Sequence, residues 1–517
     1  MKKILITLSL LLGAGFHALA MSDYQELYKD LPFEMPVISR PDFGQRSVSV
    51  VDYGAVGDGA TLNTEAFNKA MKELSALGGG TLEVPAGVWL TGPIEFCSGI
   101  NLHLERGAII SFSTDKNLYP LKSVAYEGFE GYRCASPIYG ENLTDVAITG
   151  QGIIDGNGDA WRYVRRNKTN GDQWKRLLAQ GGLVDNDTWY PSEEYRRGMD
   201  QRNGLGNQSA ISCEDALAIK DFFRPNMVKF VNCRNLLLEG VLFQNSPAWT
   251  LHPLMCENVI IDNVYVKNPV YSQNTDAMDI ESCRNVIITR TTLDVGDDAI
   301  CIKSGKDLVG RKRAKPTENV IVSGCRVFEG HGGFVVGSEM SGGVRNIRVT
   351  DCEFAGTDVG LRFKSNRGRG GIVENIYIDN INMLNISNEA LLFDLYYSAN
   401  GGPKTDVAEV NEGTPCFRNI NINGVTSAAS GISVKFNGLP EMPIENITLS
   451  NSSMTSRQGG LLAESKHIRF DNVSISVTEG PALIVRNVSD ASLTNCRFNS
   501  PSGDAVTFEG TNTEVEM

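Results

Sequence analysis

The feature that most constrains the fold of this chain is an asparagine followed by a short apolar strand, repeated along much of its length. The repeat occurs at Asn235, Asn258, Asn285, Asn319, Asn346, Asn375, Asn419 and Asn446. The intervals of 23, 27, 34, 27, 29, 44 and 27 residues indicate a coil of 20-odd residues that accepts insertions. A single coil cannot bury its apolar face, so successive coils must stack. The pattern predicts an all-β fold, a single-stranded right-handed parallel β-helix.

Two further features fit this solenoid. Asparagine tolerates positive φ better than most residues, so the recurrent asparagine is expected at a left-handed bend, bonded to the neighbouring coil. Residues 64–77, behind a polar start at Asn63 or Thr64, predict a short N-terminal capping helix that closes the apolar end. Its apolar face comprises Ala66, Phe67, Ala70, Met71 and Leu74.

Residues 1–20 have the pattern of a secretory signal peptide. Two lysines precede an apolar stretch, and Ala18-Leu19-Ala20 supplies the small residues of a cleavage site. We expect the mature chain to start near Met21, with an N-terminal extension over residues 21–47 and a β-helix domain over residues 48–517. No later run has the roughly 18 apolar residues that a membrane span requires, so we expect export to the periplasm or the medium.

The repeat is lost between about residues 155 and 226, where charged and aromatic residues accumulate. We predict a long loop excursion over the groove in this stretch. Its aromatic residues include Trp161, Trp174, Trp189 and Tyr190. We expect them to pack on the solenoid, with stacking on a ligand ring as the alternative.

The net charge restricts the partners that this chain can have. The formal charge is −13, or −15 once Lys2 and Lys3 are removed, and this field repels nucleic acid and anionic membranes. An acidic polymer would need a local basic groove. Such a cluster is present at Arg362, Lys364, Arg367 and Arg369. Because Arg362 and Lys364 alternate onto one side of a strand, we predict that they face a substrate.

The eleven cysteines do not describe a disulfide framework, since their number is odd and the chain is long. Cys233, Cys256 and Cys283 recur at similar positions in the repeat. We expect buried, stacked thiols, with one or two bridges as the alternative. Nothing in the sequence has the spacing of a metal-ligand set.

Three aspartates carry the strongest chemical signal. Asp276 and Asp298 lie 22 residues apart, close to one coil, so stacking would bring them together beside Asp297. Neighbouring carboxylates resist simultaneous ionisation, so one should keep its proton while the others remain anionic; the sequence does not say which. Hydrolysis of a glycosidic bond requires such a pair, one group as acid and one as base. The spacing therefore predicts a sugar-cleaving enzyme.

The next two coils add ionisable groups to the same surface. His331, flanked by Gly330 and Gly332, follows the aspartates by one coil with an insertion, and Arg362 with Lys364 follows one coil later. We predict that all of these residues line one site. Asp279 and Glu281 could lie on either face of their strand.

In order and spacing, four motifs resemble glycoside hydrolase family 28, the polygalacturonases and their relatives, from about Val48 to the C-terminus. The motifs are Asn274-Thr275-Asp276, Gly296-Asp297-Asp298, Gly330-His331-Gly332 and Arg362-Phe363-Lys364. The resemblance implies a right-handed β-helix and inverting hydrolysis of α-1,4-linked galacturonate in pectin, with no metal or other cofactor. An inverting reaction places acid and base about 6.5–9.5 Å apart.

The resemblance also implies a role for each matched residue. Asp297 would be the general acid, and Asp276 and Asp298 would position and deprotonate water. His331 would tune the acid. Arg362 and Lys364 would hold the substrate carboxylate.

Four further residues are candidates for substrate binding. Asn274 belongs to the first motif, and His252 lies in a segment that looks like a family feature near the groove. Lys303 could reach substrate or form a buried pair with a carboxylate. Of two adjacent tyrosines on a later coil, we predict that Tyr396 is the one near the substrate.

Three alternative functions remain open at this point. A rhamnogalacturonan hydrolase is the nearest, although a cationic fork suits galacturonate better than neutral rhamnose. A pectate lyase would use Ca²⁺ and release an unsaturated product. A carbohydrate-binding solenoid would bind without turnover. The sequence leaves open attack at chain ends or internally, methyl-ester tolerance and oligomeric state.

Overall fold

The chain forms a parallel β-helix in which each coil contributes strands to three parallel ladders. The computed structural model describes residues 24–126, 129–205, 211–397, 406–510 and 513–516. Long strands in the C-terminal half pass from one ladder to the next and join the three into one sheet of 31 strands. The predicted fold class is confirmed. The predicted signal peptide at residues 1–20 lies outside the described residues.

The strands of each ladder follow one another along the solenoid. The first ladder contains Ser47–Ser49, Gly80–Val84, Ile100–Leu104, Thr144–Gly150, Arg234–Glu239, Glu257–Asp262, Arg284–Thr289, Thr317–Ser323 and Val515–Glu516. The second contains Gly87–Thr91, Ala108–Phe112, Ile153–Asp155, Leu242–Gln244, Tyr265–Lys267, Thr292–Asp294, Arg326–Glu329 and Arg497–Asn499. The third contains Ile94–Glu95, Ile138–Glu141, Val228–Val231, Leu251–Leu254, Met278–Glu281, Asp298–Lys303, Gly332–Gly337, Leu361–Lys364, Glu389–Asp394 and Val506–Glu509. The strands that span more than one ladder are Val344–Ala355, Ile372–Leu384, Cys416–Asn437 and Ile444–Thr494.

Stacked aliphatic residues fill the interior of the helix. In the first ladder, Leu236, Val259, Val286, Val320 and Ile347 occupy one register position on successive coils, and all are buried. Each fully buried side chain of this kind contributes about 1.5–3 kcal/mol relative to exposure. This continuous core is what the alternating apolar strands of the sequence build.

The recurrent asparagines form a ladder of their own at one corner. Asn258 and Asn285 adopt φ values of 57° and 56°, in the left-handed region. The side-chain amide of Asn258 donates to Asn235 at 3.0 Å, and that of Asn285 donates to Asn258 at 3.1 Å. Their role is to turn the chain and tie neighbouring coils together.

The N-terminal end of the solenoid is covered by the helix Thr64–Ala76, which buries Phe67, Ala70, Met71 and Leu74. Asn63, at its start, bonds through its side chain to Val56, Thr61 and Leu90 rather than capping the helix. The helix therefore shields the apolar face of the first coil from water.

Residues 24–46 run along the outside of the first ladder. Tyr24 and Ile38 pack on outward-facing aliphatic residues of that ladder, and the Tyr24 hydroxyl donates to Asp262 at 2.6 Å. Arg40 forms an ion pair with Glu239. These contacts attach the N-terminal segment to the coils that precede the candidate site.

Two insertions interrupt the early coils. The hairpin Leu121–Tyr126 and Phe129–Cys134 is antiparallel, and residues 156–227 separate the second-ladder strand Ile153–Asp155 from Val228–Val231. The second insertion holds a small antiparallel sheet formed by Val164–Arg165, Leu183–Asp185 and Thr188–Tyr190. Its helices are Gly171–Ala179, Glu193–Leu205 and Cys213–Ala218.

The remaining helical segments are short. Asp307–Arg313 is an α-helix, and the 3-10 helices are Glu26–Tyr28, Val50–Tyr53, Lys116–Leu118, Gly158–Ala160, Arg166–Lys168 and Lys220–Phe222. Within the described ranges, no helix has the length and apolar character needed to cross a membrane. Trp161 and Trp189 are buried in the second insertion, as expected for packing rather than ligand stacking. All eleven cysteines are free thiols.

Candidate active site

The three predicted aspartates meet on the outer face of the third ladder. Met278 pairs in register with Ile300, and the backbone N–H of Ala277 donates to the Asp298 carbonyl at 3.0 Å. This register stacks Asp276 directly beneath Asp298. One oxygen of each carboxylate and the Cys301 sulfur lie within 4.8 Å of one another. A separation of 22 residues therefore brings the two carboxylates side by side.

Asp298 is buried against two cations. Lys364 Nζ lies 2.6 Å from its Oδ2, and Arg362 Nη1 lies 3.1 Å from its Oδ1. Burial alone would raise the pKa of Asp298, but Lys364 and Arg362 outweigh it and hold that pKa well below its ordinary value. Asp298 is therefore an anion, and it holds the predicted substrate-binding cations in place.

Asp297 points the other way and accepts three hydrogen bonds. The backbone N–H groups of Asn274 and Asp298 each donate to it at 3.0 Å, and His331 Nδ1 lies 3.1 Å from Oδ1. Burial raises the pKa of Asp297. The hydrogen bond from His331 and the charges of His331 and Lys364 lower it by more, so the net shift is downward. Asp297 is therefore an anion at neutral pH.

His331 lies at the edge of the site, with its side chain 37% exposed. Its hydrogen bond to Asp297 raises its pKa above the ordinary value, against the effect of its partial burial. Asp358 lies 3.8 Å from Nε2 and acts in the same direction. The imidazolium and the Asp297 carboxylate thus form an ion pair at weakly acidic pH.

This pair makes stability depend on pH. The folded pKa of His331 is raised above 6.5, so its contribution is complete below that value and is lost as pH rises through the folded pKa. The folded pKa of Asp297 is lowered below 3.8, so its contribution is present above that value and is lost as pH falls further. We expect His331→Ala to lower the free energy of unfolding more at pH 5.5 than at pH 9. Urea titrations at both pH values measure this, and a loss that grows with pH would contradict it.

Asp276 differs from its neighbours because it forms no ion pair with any described residue, although the charge of Lys303 acts to lower its pKa. It is 3% exposed, and its Oδ1 has no hydrogen-bond partner in the part of the chain that the structure describes. Burial, followed by the charges of Asp279 and Asp297, raises its pKa well above the ordinary value. Of the three predicted aspartates, Asp276 is therefore the one whose protonated form is favoured by its surroundings.

Lys303 is enclosed by acidic groups and an aromatic ring. Its Nζ lies 2.8 Å from Glu339, 3.6 Å from Asp279 and 4.8 Å from the ring centroid of Trp249. Asp279 is buried, and burial raises its pKa well above the ordinary value. Of the two roles predicted for Lys303, this geometry favours the buried pairing that neutralises local charge over contact with a substrate.

His252 is also buried, and both of its ring nitrogens are engaged. Nδ1 faces the side-chain amide of Asn226 at 2.9 Å, and Nε2 lies 2.9 Å from Glu281. Burial lowers the pKa of His252 to about 4, so the ring is neutral. Glu281 also pairs with Arg313 at 2.6 Å. His252 thus braces the floor of the groove, and its nitrogens do not face a ligand.

Asn274 connects the aspartates to the second insertion. Its backbone N–H donates to Asp297, while its side-chain oxygen accepts from Arg224 at 2.8 Å. Arg224 also donates to the carbonyls of Pro247 and Gln273. Asn274 therefore positions Asp297, and the insertion is anchored at the edge of the site.

The structure places Tyr397, not the predicted Tyr396, against the cations. Lys364 Nζ and Arg362 Cζ lie 4.9 Å and 5.6 Å from the ring centroid of Tyr397, whose side chain is exposed. Tyr396 is buried, and the Arg367 guanidinium lies over it. Two adjacent residues after a strand point in opposite directions, and the sequence had no landmark to tell which one faces outward.

Sequence analysis also missed Arg224 and Glu339. Arg224 lies in the aperiodic insertion, where no repeat predicts its neighbours. Glu339 follows the strand Gly332–Gly337, one coil after Lys303, and its carbonyl accepts from the N–H of Ser304 at 2.7 Å. Because Glu339 lies one coil after Lys303, the repeat could have predicted that these two residues are neighbours. Of the basic cluster, Arg367 pairs with Glu441 and Arg369 with Asp307, so neither faces Asp298.

Asp276, Asp298 and Cys301 are close enough to share a metal ion. However, both Asp298 oxygens already contact cations, and burial raises the pKa of the Cys301 thiol well above its ordinary value. A thiol must lose its proton to act as a good ligand. The arrangement is better suited to proton transfer than to metal binding.

Comparison with known proteins agrees with this arrangement. The family model for glycosyl hydrolases family 28 matches residues 203–480. A probable polygalacturonase from Vitis vinifera is 28% identical over 88% of this chain and 84% of the relative. An exo-poly-alpha-D-galacturonosidase from Dickeya chrysanthemi is 25% identical over 83% of this chain and 71% of the relative.

A solved structure is similar in both fold and sequence. The crystal structure of a hyperthermoactive exopolygalacturonase from Thermotoga maritima has a TM-score of 0.71 and 32% sequence identity. It covers 88% of this chain and 96% of that one. The matched segment contains all four motifs and more than half of the chain. The resemblance seen in the sequence is therefore confirmed: this chain belongs to the glycosyl hydrolases family 28.

Proposed function

We propose that this glycoside hydrolase is an exported polygalacturonase that cleaves α-1,4-linked galacturonate in pectin with inversion of configuration. The observation that carries the proposal is the contact of Arg362 and Lys364 with Asp298. A pair of fixed cations beside a catalytic carboxylate suits a sugar that carries its own carboxylate. A neutral sugar has no carboxylate to pair with these cations.

Within this proposal, Asp297 is the general acid, and Asp276 and Asp298 position and deprotonate the attacking water. The exposure of each carboxylate decides this assignment, because a general acid must contact the departing oxygen of the substrate. The Asp297 side chain is 18% exposed, whereas that of Asp298 is 2% exposed. Asp276 is equally buried. His331, bonded to Asp297, sets its orientation and its pKa.

Substrate binding is expected to move the proton of the cluster. Lys364 helps to keep the pKa of Asp297 low in the empty site. A substrate carboxylate on Arg362 and Lys364 would add negative charge and offset these cations, which raises the pKa of Asp297. Protonation of Asp297 would then become more favourable, and the coupled carboxylates would titrate as one unit.

We further propose attack at chain ends. The two insertions are bonded to each other, since the N–H of Cys134 in the hairpin donates to the carbonyl of Phe223 at 3.0 Å. Arg224 ties them to Asn274 beside the aspartates. A groove obstructed close to the reacting groups admits a chain end more readily than an internal segment. Similarity to two enzymes described as acting in the exo mode supports this.

Digestion of polygalacturonate tests the function and its mode together. We expect new reducing ends without an ultraviolet-absorbing product, no loss of rate with a chelator, and monomer or dimer from the first time point. A broad ladder of products would contradict end attack. Absorbance that depends on Ca²⁺ would indicate a lyase, release from rhamnogalacturonan alone would indicate the rival hydrolase, and binding without any cleavage would indicate a carbohydrate-binding solenoid.

A further inference from the structure

A pocket of about 270 Å³ lies on the outer face of the third ladder, before the aspartates. The floor of the pocket includes Tyr139 and Lys229, and one wall is formed by Lys122 and Arg133 of the hairpin. Lys229 pairs in register with His252, whose strand precedes Met278–Glu281. Lys229 is therefore two coils from Asp279, or about 10 Å along the solenoid axis at roughly 4.8 Å per coil, on the ladder that carries the aspartates.

Lys229 is the unusual residue of this pocket. It is only 6% exposed, yet its ammonium has neither a hydrogen bond nor an ion pair to any described residue. Its two acidic neighbours are engaged elsewhere, because Glu281 binds His252 and Arg313 while Glu141 accepts from Tyr139. Burial lowers the pKa of Lys229 to about 8, so it still carries a charge at neutral pH. Buried charges in proteins are normally paired, so this ammonium is available to an anionic ligand.

The pocket also offers hydrogen-bond acceptors. The side-chain oxygen of Asn226 is buried without a hydrogen-bond partner among the described residues, while its amide faces His252. Glu95 and Glu141 supply carboxylate oxygens at the wall. One unpaired ammonium together with several acceptors matches a ligand that carries one carboxylate and several hydroxyls. At about 270 Å³ the pocket is slightly smaller than the roughly 300–1,000 Å³ of pockets for drug-sized ligands, which suits a ligand as small as one sugar ring.

We propose that this pocket, defined by Lys229, Arg133 and Asn226, binds the terminal galacturonate of the substrate chain. Lys229 receives the carboxylate, and Asn226 accepts a hydroxyl. The inference rests on the proposed function and adds a second carboxylate site, distinct from Arg362 and Lys364. It makes Lys229 a residue that determines specificity for an acidic chain end.

Calorimetry with trigalacturonate tests the proposal in the Asp297→Asn background, where turnover is expected to be slow enough for binding to be measured. We expect Lys229→Met to weaken binding roughly 10–100-fold, because one charge-assisted hydrogen bond is lost. Binding of the methyl-esterified trimer should change less than about threefold, since a neutral group does not depend on the ammonium. Lys267→Met, on the exposed face of a second-ladder strand, is the matched control and should leave both affinities unchanged.

Unliganded stability separates a binding role from a structural one. Because the ammonium is unpaired, Lys229→Met should leave the unfolding temperature unchanged or raise it. Ser123→Trp, on the exposed hairpin wall, should obstruct the pocket and weaken trimer binding without touching Lys229. Unchanged affinity in both variants, or equal losses for acid and ester in Lys229→Met, would overturn the inference. Wild-type cleavage of polygalacturonate is measured separately and decides the proposed function itself.

Discussion

Asp297→Asn is expected to lower kcat on polygalacturonate by roughly 10²–10⁴-fold, the usual contribution of a general acid. Asparagine keeps the size of the side chain and can remain near His331, but it has no proton to give to the departing oxygen. Substrate binding and thermal unfolding should stay close to wild type. Initial rates of reducing-end release, measured over a range of substrate concentrations, provide kcat and KM separately.

Asp294→Asn is the matched control for this variant. Asp294 lies three residues earlier in the chain but belongs to the second ladder, so its carboxylate is outside the site. We expect near wild-type kcat there. Wild-type-like activity of Asp297→Asn would refute the acid role. A collapse of activity in Asp276→Asn with only a modest loss in Asp297→Asn would instead assign the acid to Asp276, whose pKa is raised by burial.

Lys364→Met should be the most destabilising of the site variants. It leaves the Asp298 carboxylate buried with Arg362 as its remaining cation. Removal of one partner from a buried ion pair costs about 3–5 kcal/mol, and the remaining arginine places the expected loss near 3 kcal/mol. Urea titration at pH 7 measures this loss, with the exposed Lys267→Met as the control.

The double variant Lys364→Met with Asp298→Asn distinguishes charge burial from packing. With no carboxylate left unpaired, most of the stability should return, whereas activity should not, because the proposed mechanism uses Asp298 to activate water. If the double variant is as unstable as Lys364→Met alone, the lysine acts through its packing. The single variant should also lose its stability defect at low pH, where Asp298 becomes protonated and no longer needs a cation.

These two predictions depend on the structure to different degrees. Asp297 could be selected from the sequence, because the Gly296-Asp297-Asp298 motif lies one coil after Asn274-Thr275-Asp276. The partnership of Asp298 with Lys364 could not, since the sequence assigned Lys364 only to the substrate. Two coils separate these two residues, and only the packed ladder shows that their side chains meet.

The same distinction applies to the second-tier residues. Lys303 and His252 lie on third-ladder strands, as their places in the repeat predicted, but the partner of His252, Asn226, lies in an insertion whose course no repeat describes. The choice between Tyr396 and Tyr397 depended on the direction of a turn. Lys229 alternates with apolar neighbours on its strand, and this pattern shows that it points outward but not that it lacks a partner.

The sequence by itself determined the solenoid, its coil length and the stacking of Asp276 with Asp298. This was possible because every coil repeats the same local pattern, so residues one coil apart in the sequence are in contact in the structure. Only the tertiary structure decided the charge state of each aspartate, the residues that contact the cations and the pocket around Lys229. Those properties arise from burial and from pairs between irregular loops, and such long-range contacts leave no periodic trace in the sequence.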